Sequence, residues 1–81
     1  MIEHDHKQSI IEMLKEEYGN KMLNRDEAAA ALGMSTASLD KLRGQGLGPT
    51  FIKIGSSNSK VQYTLFDISD YICSMRIKTS S

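Results

Sequence analysis

Apolar residues recur along this chain at two different periods. Ile10, Ile11, Leu14 and Tyr18 fall on one helical face, with Met13 at its edge and Glu12, Glu16 and Glu17 toward water, which predicts an amphipathic helix from about residue 5 to 18. Gly19-Asn20 ends it. Between residues 23 and 43 the apolar set is Ala28, Leu32, Met34, Leu39 and Leu42, with Gly33 in the middle. That spacing suits two short helices, near 25 to 32 and 35 to 44, meeting at a sharp turn. Gly44, Gly46, Gly48 and Pro49 then stop the helical pattern, since proline removes a backbone donor and glycine removes stiffness. Residues 51–54 and 60–63, rich in β-branched and aromatic side chains, read as two strands of a hairpin spanning 50 to 64, with the polar tip Gly55-Ser56-Ser57-Asn58-Ser59 between them. Leu65, Ile68, Ile72 and Met75 return to helical spacing and predict a last helix over 65 to 75. Met13, Met34 and Met75 read as core filler.

Each of the three later helices carries its own start signal. Asn24 is an N-cap residue with Glu27 three positions on to complete a capping box, Ser35 caps the next helix, and Thr64 with Asp67 starts the last. Asp26 and Glu27 also place negative charge where the helix dipole favours it. At the turn, Gly33 supplies a positive φ at little steric cost, and Ala29, four residues earlier, leaves room for the second helix to approach the first. Taken alone, these residues also suit an αα-hairpin with no DNA role.

The predicted order is helix, then helix, turn, helix, hairpin, helix. The fold class is therefore α+β, mostly α: a small winged helix-turn-helix with a two-stranded hairpin wing and an extra N-terminal helix. Residues 1–20 form the N-terminal extension, 21–76 the winged domain and 77–81 a disordered tail. Eighty-one residues hold one small domain.

Formal net charge is zero, but the charges are unevenly placed. Residues 1 to 20 carry five acidic and two basic side chains, a balance of −3, whereas residues 21 to 64 carry six basic and three acidic, a balance of +3. The basic segment is the one that contains the paired helices and the hairpin, as a nucleic-acid partner requires. The acidic leading helix is expected to stay off the DNA; its apolar stripe covers either its own domain's core, a second protomer or a partner helix.

The chain resembles the excisionase and AlpA-like regulators of the MerR superfamily. The resemblance rests on Glu27-Ala-Ala-Ala-Ala-Leu-Gly-Met-Ser35, on Gly46-Leu-Gly-Pro-Thr-Phe-Ile-Lys-Ile-Gly55, on Tyr63 at the close of the hairpin, and on Asp67 to Tyr71; it covers roughly residues 22 to 72. It implies a winged helix-turn-helix that binds short sites on double-stranded DNA, as a small transcriptional regulator or a recombination directionality factor of a phage or integrated element. A homodimer or cooperative assembly on DNA, and an integrase as protein partner, are implied with it. Members often carry arginine early in the recognition helix and a pair of arginines at the wing tip, where this chain has Thr36 and Ser56-Ser57. Fewer fixed cations release fewer counterions on binding. The alternative is a winged-helix protein-interaction module that has lost DNA affinity.

On the DNA-binding reading, the helix that begins at Ser35 enters the major groove by its N-terminal end, with Leu39 and Leu42 on the core and Thr36, Ala37, Asp40 and Lys41 outward. Lys41 suits guanine, Ala37 a thymine methyl and Asp40 the amino group of cytosine, while Thr36 suits bases or phosphate. Ser38, Arg43, Lys53, Asn58 and Lys60 suit the DNA backbone. The serine-rich tip either touches phosphate or makes no contact.

Other chemistry finds no motif. Gly44, Gly46 and Gly48 follow a predicted helix and precede a strand, the reverse of a phosphate-binding loop. His4 and His6 lack further metal ligands, and the single cysteine, Cys73, has no histidine nearby in sequence. No enzyme activity, cofactor or metal is expected. No apolar run reaches the length of a membrane span or a signal peptide, so a cytoplasmic protein is expected.

Overall fold

The computed structural model describes residues 3–55 and 60–75, with side chains from residue 7 onward. Four helices and one antiparallel hairpin follow in the order α1 (Glu3–Tyr18), α2 (Arg25–Leu32), α3 (Thr36–Gly44), β1 (Ile52–Ile54), β2 (Lys60–Gln62) and α4 (Leu65–Ser74). The chain is thus a small α+β unit, mostly helical. Asn58 with the rest of 56–59, and the expected tail at 77–81, lie outside the described residues.

The caps form as their side-chain chemistry dictates. The Glu27 amide donates to Asn24 Oδ1 at 2.8 Å and the Asn24 amide donates to Glu27 Oε1 at 3.0 Å, which closes the capping box of α2. Lys21 Nζ donates to the other Glu27 oxygen at 2.6 Å. The hydrogen bond from Lys21, then that from the Asn24 amide, hold the Glu27 carboxyl below the ordinary carboxylate range. Ser35 Oγ accepts the Ser38 amide at 3.1 Å, and Thr64 Oγ1 accepts the Asp67 amide at 2.9 Å. Gly33 ends α2 at φ 75°, in the left-handed region, and the Met34 amide closes the turn onto the Ala29 carbonyl at 3.0 Å.

The core joins every helix. Leu14, Leu23, Ala28, Ala29, Leu39, Tyr63, Leu65 and Ile68 are buried together, and Ile10, Tyr18, Leu32, Met34, Val61 and Ile72 pack against them. α1 lies against α4: Leu14 is only 5% exposed, and Lys7 pairs with Asp70 at 2.9 Å while its ammonium sits 4.5 Å from the Phe66 ring centroid. The stripe of α1 therefore covers its own domain. Two of the expected core methionines are instead on the surface, Met13 at 62% and Met75 at 57% exposure. Met13 lies just past the edge of the α1 stripe, about 100° around the helix from Leu14, and Met75 is the C-cap beyond the last turn of α4; of the three, Met34 packs on the core.

The hairpin pairs Ile52 with Gln62, Lys53 with Val61 and Ile54 with Lys60. Tyr63 leaves the strand to bridge Leu23, whose amide donates to the Tyr63 carbonyl at 2.8 Å and whose carbonyl accepts the Tyr63 amide at 2.9 Å. This bridge ties the segment entering α2 to the end of the hairpin. No helix among the described residues is long and apolar enough to cross a membrane.

Candidate nucleic-acid interface

The orientation of α3 is set by its buried side. Leu39 is fully buried, and Thr36, Asp40, Leu42 and Arg43 are half-buried, which turns Ala37, Ser38, Lys41, Gly44 and Gln45 to solvent. Offsets of three, four and seven residues place Ala37, Lys41, Gly44 and Gln45 along one stripe, with Ser38 beside it. Ala37 and Lys41 face outward as the sequence predicts. Thr36 and Asp40 do not: they point toward α2. The Thr36 hydroxyl donates to Asp26 Oδ1 at 2.7 Å, and the Asp40 carboxylate pairs with Arg25 and with Arg43. Gly44 and Gln45 were not among the expected contact residues, since the apolar pattern gives no signal at positions that simply stay exposed.

Ser35 and Ser38 also have work within the protein. Ser35 Oγ accepts the Ser38 amide and its hydroxyl donates to Ser38 Oγ at 3.0 Å, so the pair forms the N-terminal cap of α3. Both side chains remain exposed at the helix end.

Arg43 is committed inward. Its Nη1 donates to Asp40 Oδ1 at 2.8 Å and to the Tyr63 hydroxyl at 3.3 Å, and the guanidinium carbon lies 5.8 Å from the Phe51 ring centroid. These hydrogen bonds, that to Tyr63 first and that to Asp40 second, outweigh partial burial and raise the Arg43 pKa further, so the group is a permanent charge. Arg43 thereby ties the end of α3 to Tyr63 at the close of the hairpin.

The two hairpin lysines are exposed, but on opposite sides. Because partners across an antiparallel pair share a face and neighbours alternate, Lys53 lies with Val61 while Lys60 lies with Ile54. Only Lys60 reaches a cleft of about 570 Å³, lined by Asn24, Arg25, Asp26, Arg43 and Gln62 among others. Lys41, Lys53 and Lys60 form no ion pair among the described residues. Exposed apolar side chains lie on the hairpin, Ile52 and Ile54, and just before it in the chain, Leu47 and Phe51. No cluster of metal-ligating residues occurs among the described residues.

Comparison with protein-family models, with curated proteins and with solved structures returns no match.

Proposed function

We propose that this chain is a sequence-specific DNA-binding protein with a winged helix-turn-helix, in which α2 and α3 are the paired helices and the hairpin is the wing, acting as a small transcriptional regulator or recombination directionality factor. The observation that carries the reading is the free stripe of α3. Ala37, Lys41, Gly44 and Gln45 are exposed and uncommitted, while the other polar side chains of that helix are bonded to the protein's own groups. A helix whose back is locked and whose front carries one cation, one amide and two small residues fits a major groove, with Lys41 and Gln45 as base-edge donors and Ala37 against a thymine methyl.

Titration of duplex DNA at rising salt tests this. Four exposed cations on α2, α3 and the hairpin, Arg25, Lys41, Lys53 and Lys60, predict that log affinity falls against log salt with a slope no steeper than about −4. Lys41→Ala relaxes preference at one base pair by roughly 1–3 kcal/mol, whereas Lys53→Ala weakens all sequences alike. Equal effects of both on specific and random DNA would remove that division of roles.

A protein-interaction module is the second reading, favoured by zero net charge and by the exposed Leu47, Phe51, Ile52 and Ile54 on and just before the hairpin. Absence of DNA binding at low salt, with retained fold, decides for it.

A further inference from the structure

Three cations from three elements line one cleft: Arg25 opening α2, Arg43 near the end of α3 and Lys60 opening β2. The Leu23–Tyr63 bridge holds its two walls together, since it joins the residue just before Asn24 to the residue just after Gln62. Two carboxylates accompany the cations: Asp26, which lines the cleft and accepts from the Thr36 hydroxyl, and Asp40, behind the lining and between the two arginines. Three positive groups against two negative ones leave a balance of +1 at the cleft.

The arginines differ in what they have left to offer. Arg43 is 21% exposed and bonded to Asp40 and Tyr63. Arg25 is 47% exposed and uses only Nη1, on Asp40, among the described residues. A guanidinium carries five N–H donors in a rigid fork, so Arg25 keeps donors free while one bond fixes its direction. Lys60, on the other wall, is a flexible cation with no ion-pair partner among the described residues. A planar fork and an ammonium facing one open cleft suit a tetrahedral oxyanion, which accepts from several directions at once. The cleft exceeds a bare phosphate several-fold, leaving room for flanking sugars, and Arg43 brings α3, the helix that carries the exposed stripe, to its wall.

We propose that this cleft is a phosphate site, occupied by one phosphodiester of the DNA backbone beside the groove that α3 enters, with Arg25 and Lys60 as the groups that touch it and Asp40 as the positioning residue that aims Arg25. The source of the phosphate rests on the DNA-binding reading; the site itself adds Arg25 and gives Asp40 a role other than base readout.

Two measurements on the full chain separate the site from that reading. In the first, inorganic phosphate is titrated into the wild-type protein and the Arg25 Nε–H and Gln62 side-chain amide resonances are followed by NMR, with the Ala37 amide as a remote control. Shifts confined to the cleft are expected. In the second, a short random-sequence duplex is bound at about 50 to 200 mM salt. R25Q and K60Q are each expected to weaken binding about 3- to 10-fold at the low end, and the double variant to flatten the salt slope by about 1, because both groups serve one phosphate. Flattening by about 2 would mean two separate contacts and would overturn the shared site. D40N removes a negative charge and so tightens binding if Asp40 acts only by repulsion; as a positioning residue, it is expected to weaken binding several-fold with the slope unchanged. If the wild-type protein binds duplex DNA but phosphate moves no cleft resonance and the double variant binds unchanged, the site is wrong and the DNA reading stands. Cleft shifts without any DNA binding would leave the phosphate site in place and remove DNA as its source. Absence of both overturns both, and the first measurement needs no variant to fold.

Discussion

Two glycines show how the same residue type serves opposite ends. Gly33 sits at φ 75°, and a Cβ built there would meet nothing within 4 Å, so what selects glycine is backbone conformation rather than space. Gly33→Val is expected to cost roughly 1–3 kcal/mol, through strain alone. Gly44 is the last residue of α3, its φ is not positive, and its Cβ would also meet open space. Neither strain nor packing requires glycine there, so Gly44→Ala is expected to stabilise by about 0.5–1 kcal/mol through helix propensity. At about 4–8 °C per kcal/mol for a domain of this size, thermal melts resolve both signs. On the proposed DNA face, the added methyl at position 44 is also expected to weaken duplex binding, since glycine there lets the helix end come close to the groove wall. A stabilised variant with unchanged DNA binding would place Gly44 off the interface.

At the scale of single elements, most local expectations hold because their causes are local. The capping box of α2, the serine cap of α3 and the threonine cap of α4 each need only a side chain within three residues of its target amide, and all three form. The α2 cap also makes stability depend on pH. Glu27 ionises more readily in the folded protein than in the unfolded chain, so its contribution is complete above the ordinary value of 4.5 and is lost as pH falls through the lower folded value. Glu27→Gln keeps an acceptor for the Asn24 amide but removes the attraction to Lys21. Its melting temperature is expected to lie below that of the parent at neutral pH, with the gap closing as pH drops below 4.5. A gap independent of pH would assign the cap to neutral hydrogen bonding only. The hairpin was equally visible as an element, from its β-branched residues, yet the register that puts Lys53 and Lys60 on opposite faces was not, because a one-residue shift in pairing reverses every side chain.

Across the whole molecule, the acidic α1 is the part whose role changed most between sequence and structure. Its stripe alone was compatible with the core, a second protomer or a partner helix. In the structure Leu14 is buried with the residues of the later helices, and Lys7 reaches Asp70 and Phe66 on α4. Leu14→Ala is therefore expected to cost about 2–4 kcal/mol, read from thermal melts, with no change in sedimentation mass. A fall in mass with unchanged monomer stability would assign the stripe to an interface between copies. The outer face of α1, with Glu12, Glu16 and Glu17 exposed, is left as an acidic ridge, which under the proposed function would be turned away from the DNA.

The sequence by itself determined the number and order of the elements and their ends to within two residues, the turn at Gly33, the caps and the segment on which positive charge gathers, because those depend on neighbours a few positions apart. Only the tertiary structure decided which charges remain free. Arg25 and Asp40 are 15 positions apart and Arg43 and Tyr63 are 20 apart, and nothing in local spacing says that α2, α3 and the hairpin will bring them together. That meeting takes Asp40, Thr36 and Arg43 off the outward face, leaves Ala37, Lys41, Gly44 and Gln45 on it, and opens the cleft that Arg25 shares with Lys60. The physical reason is that an ion pair forms wherever packing of the apolar core happens to set opposite charges within reach, and the core's packing is a property of the assembled helices rather than of any one of them.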